Sequence, residues 1–341
     1  MTSVKEFRIA EPATATRLGR GAFAFTDDYS VFDWGKMPDE IPRKGRTLCA
    51  MGAANFERLE AEDIPTHYRG VVPDDSDEPI PLADAAEPPR EMAIELTQVP
   101  ALPHEGREYD YDTFHAAAET NYLIPLEIVF RNTIPVGSSL RSRGEPGAYG
   151  LDTETWPDES VELPDAVVEF STKYEESDRY LTREEADTIA GEADIETLEA
   201  VAREVNDLLT ETAARAGLVH EDGKIECCYV DGEILVADVV GTLDENRFSY
   251  DGQQLSKEVV RQYHKREQSE WVDAVGEAKR AAADRDVADW RELCDRAPAP
   301  LPEHVIETAS EMYRAGANAY LDRDLFDAPA LPDAVDAVRD L

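Results

Sequence analysis

The chain has little positive charge: 34 Lys and Arg residues stand against 74 Asp and Glu, for a formal net charge of −40. A surface of that kind repels nucleic-acid backbones, so DNA or RNA binding is not expected. Cysteine is scarce as well. Cys49, Cys227, Cys228 and Cys294 form no Cys-x-x-Cys pair, which argues against a zinc or disulfide framework and for buried free thiols. The six His residues are scattered without metal-ligand spacing and receive no role. No apolar run reaches the roughly 18 residues that would suggest a membrane span. The opening MTSVKEFRIAEPAT lacks the apolar stretch of a signal peptide and reads as a strand. The cytoplasm is the expected compartment.

What is present is ample apolar material. With 341 residues, 42% of them apolar, the chain can bury a sizeable core, and two lobes are expected. The carboxylates are dispersed along the sequence and not gathered in a tail. Self-repulsion at this level burdens a compact state in dilute buffer. At molar salt the Debye length shrinks to about 3 Å and most of the repulsion vanishes. The composition therefore points to a halophilic protein, with an acidic chaperone or a nucleic-acid mimic as the rival readings.

The first hundred residues read as mainly β. Val4–Ile9 alternates apolar and polar, Ala22–Thr26 follows a Gly19-Arg20-Gly21 turn, and Met92–Val99 is a further strand candidate. One helix, Thr47–Leu59, interrupts them, and residues 71–107, rich in Pro, Asp and Glu, are expected to form a long acidic surface loop. Beyond residue 120 the pattern becomes α+β. Asp194 can cap a helix with Ile195, Leu198, Val201, Val205, Leu208 and Leu209 on one face, ended by Gly217. A hairpin follows, Lys224–Val230 and Glu233–Val240 around Asp231-Gly232. Helices are expected over Ser256–Ala282, Val287–Cys294 and Pro302–Leu321, with Trp271, Trp290 and Tyr313 as packing anchors. The expected division is a β-rich lobe over 1–110, an α+β catalytic lobe over 111–255 and a helical region over 256–341 that packs on it.

Two segments carry chemistry. In Ile124–Leu140 an apolar strand runs into Arg131 and then the turn Gly137-Ser138-Ser139, followed by Arg141 and Arg143. A guanidinium fork, two hydroxyls and a backbone free to approach closely make an anion cradle, and an anionic small molecule would explain cations clustered in so acidic a chain. In the hairpin, Glu226 and Asp238 sit on opposite arms among apolar neighbours. A carboxylate there needs a partner: a divalent ion such as Mg²⁺, held by one or two carboxylates and substrate phosphates, or simply a salt bridge or an exposed sheet edge. A two-residue Asp231-Gly232 loop pairs Glu226 with Ala237 and turns Asp238 to the opposite face. A three-residue loop, or a bulge, brings the two carboxylates together.

Four segments in order resemble the phosphoribosylaminoimidazole-succinocarboxamide synthase (SAICAR synthetase) family: TDDYSVFDWGKMPDEIPRKG (26–45), IPLEIVFRNTIPVGSS (124–139), VVEFSTKYEESDRYLT (167–182) and DGKIECCYVDGEILVAD (222–238). The resemblance implies a two-lobed α+β fold with ATP in the cleft between lobes. The implied reaction is ligation of L-aspartate to carboxyaminoimidazole ribotide, through an acyl phosphate, giving SAICAR, ADP and phosphate. Carried over by position, Glu226 and Asp238 would hold Mg²⁺ against ATP, and Lys173 would face the nucleotide phosphates. Arg131, Ser138 and Ser139 would grip the ribotide phosphate, with Arg247 as a further cation. The catalytic pair Lys224 and Asp222, together with Asp178, would line the substrate pocket, and Ser30, Asp33 and Lys44 would close it. Lys36, Lys44, Lys173 and Lys224 all fall in these segments of a Lys-poor chain. Small molecules are the implied partners, and self-association of the chain is left open.

The chain departs from the family pattern at its start. The EGK-x-K phosphate loop is replaced by AEPATATRLGRG, which keeps Glu11 and leaves Arg17 or Arg20, beside Gly19 and Gly21, as substitute nucleotide contacts, unless the segment is an ordinary turn. Two other functions fit the same parts: an ATP-dependent small-molecule phosphotransferase, or a ribotide-binding protein without catalysis.

Overall fold

The computed structural model describes residues 5–106, 108–175, 179–285, 287 and 289–341. The strands β1 (Lys5–Glu11) and β2 (Gly19–Phe25) form a hairpin. After α1 (Lys44–Ala61), β3 (Tyr68–Val72) and β4 (Glu91–Leu96) complete an antiparallel sheet in the order β1-β2-β4-β3. A short ribbon, β5 (His104–Glu105) with β6 (Glu108–Tyr109), leads to α2 (Tyr111–Ala118). The second sheet begins with β7 (Asn121–Leu123) and β8 (Leu126–Ile134). It continues, after α3 (Leu140–Arg143), with β9 (Val161–Thr172). Helices α4 (Arg183–Ala190) and α5 (Ile195–Arg215) precede β10 (Val219–Val230), β11 (Glu233–Ala237), β12 (Arg247–Tyr250) and β13 (Gln253–Gln254). This sheet runs β13-β12-β10-β8-β9, with β11 and β7 on the far half of β10. Among the described residues, the chain ends in α6 (Glu258–Glu267), α7 (Ser269–Arg285), α8 (Glu303–Leu321) and α9 (Leu331–Arg339).

The α+β class follows the sequence pattern, and so does α5, whose N-terminus Asp194 caps by accepting from the Thr197 amide. Three expectations are corrected. Residues 71–107 are not one loop, because β4, the strand expected at Met92–Val99, lies inside them and pairs with both β2 and β3; its Met92 and Ile94 are buried, and this pairing outweighs the acidic flanks. Ser256–Ala282 is two helices, broken at Gln268, whose side-chain amide exchanges two 2.9 Å hydrogen bonds with the Ala299 backbone. Among its described residues, Val287–Cys294 provides only a single 3-10 turn, Trp290–Leu293. The helix α9 falls in the expected helical region 256–341, beyond the last helix whose bounds were read from the sequence.

One core spans both sheets, with α1 and α8 in it. Lys44, at the start of α1, is wholly buried there, 2.5 Å from the Asp244 carboxylate, which also accepts from the Tyr313 hydroxyl at 2.6 Å. Cys49, Cys227 and Cys228 are buried thiols, as expected, whereas Cys294 is only partly buried.

Two outcomes follow from these buried charges. Lys44→Met leaves Asp244 uncompensated in the core and should cost roughly 3–5 kcal/mol in urea unfolding at constant KCl. Burial pushes His67 and His220 down to about 4. An imidazole lowered from about 6.5 stabilises the fold above that pH and withdraws the stability as pH falls toward 4. Unfolding free energy should therefore drop by on the order of 2 kcal/mol per histidine between pH 7 and 4.5, and His220→Gln should remove its share of that slope.

Candidate active site

The register of the second sheet builds the site. On β10, Asp222 lies opposite Arg131 of β8 and Lys224 opposite Val129; on β9, Glu169 lies opposite Val129. Alternation then gives one face Asp222, Lys224 and Glu226 from β10, Glu127 and Arg131 from β8, and Glu169 from β9. The opposite set, Ile225 and Cys227 with Ile128 and Phe130, is buried.

At one end of this face is a concavity of ≈ 560 Å³ lined by Arg131, Gly137, Ser138, Ser139, Arg247, Arg261 and Lys265, among others. Arg131 donates to Glu169 at 2.9 Å, to Asp222 at 3.3 Å and to the Tyr180 hydroxyl at 2.8 Å. Asp222 accepts from Arg247 Nε at 2.7 Å and so holds both guanidiniums. Burial works against the Arg247 charge, but Asp222 outweighs it and raises its pKa. Two fixed guanidiniums, two hydroxyls and two helix α6 cations suit a phosphate monoester. The other cations of the sequence patch serve the fold: Arg141 donates to the Ile134 carbonyl at 2.9 Å and lies over Trp156, and Arg143 pairs with Glu169.

At the other end, between the sheets, lies a cavity of ≈ 350 Å³. Its apolar wall includes Phe7, Phe23, Leu96, Val99 and Leu123. Its charged wall holds Lys5, Glu127, Lys173, Lys224, Glu226, Asp238 and Glu245. Lys173 pairs with Glu226 and lies 4.0 Å from Glu127, while Lys224 pairs with Glu127 and sits 3.5 Å from Glu226 and 3.6 Å from Glu245. Burial opposes the Lys224 charge, but Glu245, Glu226 and Glu127 together raise its pKa well above the usual lysine value. Glu226 is pushed up by burial and then by Asp238. Asp238 is held down: burial acts the other way, but Lys5 and Lys173 prevail.

The hairpin reaches this arrangement by an unexpected route. Its loop has two residues, Asp231 and Gly232, both at positive φ, and Glu226 pairs with Ala237. Strict alternation would send Asp238 to the other face. Asp238 instead leaves the strand at φ +62°, which breaks the alternation and leaves its carboxylate in the same cavity as Glu226. The expected three-residue loop or bulge is replaced by a single left-handed residue.

Other candidates lie elsewhere. Lys44 is a core residue with no exposed surface. Asp33 is exposed and pairs with Lys279 at 2.5 Å; Ser30 is half-buried in the same loop. Arg17 sits at the β1–β2 turn, about two-thirds exposed, 3.8 Å from Glu11. None of these lines either concavity. Asp178 falls outside the described residues. Sequence reasoning missed Lys5, Glu127, Glu245, Arg261 and Lys265. Three of these carried a signal: Glu127 stands four residues before Arg131 on the same strand face, and Arg261 and Lys265 are an i,i+4 basic pair in an acidic chain.

The family described as SAICAR synthetase matches residues 15–278 of the chain. A relative from Archaeoglobus fulgidus assigned to the same synthase is 40% identical over 350 aligned residues, covering 100% of this chain and 99% of its own. The phosphoribosylaminoimidazole-succinocarboxamide synthase of Thermoplasma acidophilum is 28% identical over 86% of this chain and 90% of its own. Among solved structures, the SAICAR synthase of Saccharomyces cerevisiae in complex with SAICAR superposes with TM-score 0.61 at 17% identity, over 94% of this chain and 93% of that one. A SAICAR synthetase in complex with ADP gives 0.54 at 22% identity, over 76% and 88%. At these identities the two structures speak for the fold.

If the guanidinium end is a phosphate site, Arg247→Met should weaken binding of ribose 5-phosphate at least about tenfold, the worth of one charge-assisted hydrogen bond. Calorimetry at constant KCl checks it, with ADP affinity as the unaffected control.

Proposed function

The chain belongs to the SAICAR synthetase family, and we propose how its two concavities divide the reaction it catalyses, the ATP-dependent joining of L-aspartate to carboxyaminoimidazole ribotide to give SAICAR, ADP and phosphate. It is an ATP-dependent ligase of purine biosynthesis. In our reading the ribotide phosphate enters the guanidinium end, held by Arg131, Arg247, Ser138 and Ser139, with Arg261 and Lys265 at the rim. Asp222 touches no reacting atom; it holds the two guanidiniums in place. Two steps along β10, at roughly 6.7 Å each, lead from Asp222 past Lys224 to Glu226. That span leaves room for the sugar and the imidazole ring.

The imidazole carboxylate then comes to rest beside Lys224, whose ammonium balances its charge as it attacks the terminal phosphate of ATP. The cleft takes the nucleotide, with the base against the Phe7, Phe23 and Leu123 wall and the phosphates toward Lys173. Glu226 and Asp238 fit Mg²⁺, because two carboxylates share one cavity and each now carries a lysine in the place of a cation. When bound, the ion would draw negative charge off the phosphate oxygens. The ligase half-reaction that follows, displacement of phosphate from the acyl phosphate by the aspartate amine, needs mainly positioning. We place the division between lobes near residue 110, with residues 256–341 as a helical buttress. The charge of −40 supports a salt-rich cytoplasm as the setting.

A single observation carries this reading: one strand face presents Asp222, Lys224 and Glu226 in sequence between the phosphate cradle and the carboxylate pair. A coupled ADP-release assay in molar KCl should show turnover that requires L-aspartate, and Glu226→Gln should lower kcat about 10²-fold or more with the fold intact by circular dichroism. ADP release without an amino acid, with a phosphorylated ribotide accumulating, would identify a phosphotransferase instead.

A further inference from the structure

We infer that Lys5 gates the Asp238 carboxylate against a divalent ion and then serves as the phosphate-binding cation of the first sheet, in place of lysines that the β1–β2 turn does not contain. The inference rests on the metal reading above and extends it to a residue outside every motif segment.

Among the residues of β1, Lys5 alone is buried; Glu6 through Glu11 are exposed. A strand that turns almost every side chain to solvent therefore inserts one ammonium into the molecule. That ammonium contacts the Asp238 carboxylate and lies 4.6 Å from the centre of the Phe23 ring. Its side chain is 3% exposed, so the charge needs a partner. An ordinary structural pair would meet that need anywhere. This one lines the cavity that also holds Lys173, Lys224 and Glu226, and it joins a strand of the first sheet to the end of β11 in the second. The β1–β2 turn offers no substitute: Thr14 and Arg17 exchange backbone hydrogen bonds of 2.9 and 3.3 Å, and the Arg17 side chain points to solvent beside Glu11.

A doubly charged ion and an ammonium compete for the same carboxylate. An ion entering between Glu226 and Asp238 must therefore displace Lys5. The flexible four-carbon stem of Lys5 lets the freed ammonium swing toward phosphate oxygens brought in with the nucleotide. Lys5 should thus oppose the metal alone and favour the metal–nucleotide complex, so that removing it has effects of opposite sign. A merely structural lysine gives no such divergence.

The test is calorimetry on the full chain at constant KCl, with Mn²⁺ alone and with Mn²⁺·ADP. Lys5→Met should bind Mn²⁺ severalfold more tightly and Mn²⁺·ADP about tenfold more weakly, and Lys5→Arg should restore the second. A second measurement uses the unaltered protein: the acetylation rate of Lys5, followed by peptide mass spectrometry, should rise with Mn²⁺ alone and fall again when ADP is added. Affinities that shift in the same direction or not at all, or a Lys5 reactivity indifferent to Mn²⁺, would overturn the inference. If Mn²⁺ fails to bind the unaltered protein and Glu226→Gln alike, the metal reading is what has failed, and the gate falls with it.

Discussion

A slip of one residue between β8 and β10 would turn Asp222, Lys224 and Glu226 into the core and bring Ile225 and Cys227 out to the cavity. The site depends on that register more than on any single contact, and Gly223 is its strongest lock. A Cβ built on Gly223 would lie 1.9 Å from the Asn246 amide nitrogen and 2.7 Å from the Phe130 ring, so only glycine fits where it stands. Its neighbour Ile225 pairs with Ile128, both buried. Around them, His220 is bonded to Thr210 and Asn246, each at 2.8 Å, and stacks on Phe248. The back of the sheet is thus filled and hydrogen-bonded, and the charged face is what that packing leaves in front.

The charged face solves a problem set by the composition. A chain of −40 repels phosphates, yet its ligands are anions, so cations must be concentrated where the ligands bind. Cations that are buried and unpaired would be costly. The structure meets both demands by giving each an acidic partner: Asp222 holds Arg131 and Arg247, Glu226 holds Lys173, and Glu127 holds Lys224. These pairs are weak as stabilisers of the fold. In the proposed reading their value is that the groups are already in place when a phosphate arrives, so little ordering remains to be done on binding.

Much of this was legible in the residues. The alternation around Glu226 located the hairpin, Arg131 and the Gly137-to-Ser139 turn do line one concavity, and Asp194 located the start of α5. The failures have a common cause, because each needed a partner distant in sequence. Lys44 lies in a motif, but burial beside Asp244 makes it a core residue, and neither fact is written near position 44. Lys5 sits in an unremarkable strand and acquires its place only when β1 meets Asp238. Gln268 reads as a helix interior until Ala299 claims its amide. Local pattern fixed the elements and the pairing within hairpins; contacts between sheets decided which charges share a cavity.

Asp238 shows how closely those two levels are tied. A left-handed backbone costs an L-residue roughly 1 kcal/mol or more, and Asp tolerates it better than most. The strain falls where β11 is stitched to the approach of the first sheet. His67 donates its amide to the Val236 carbonyl at 3.1 Å, Val236 donates to Pro65 at 2.9 Å, and the His67 ring donates to the Asp238 carbonyl at 3.2 Å. The imidazole there is neutral at physiological pH, since burial holds it near 4, and so acts as a fixed hydrogen-bond donor without adding charge beside the carboxylate pair. One residue therefore ends a strand, joins two sheets and aims a carboxylate at Glu226. Through Lys5 and His67 that residue contacts the first sheet and its approach, which ties the geometry of the carboxylate pair to the relative position of the two sheets.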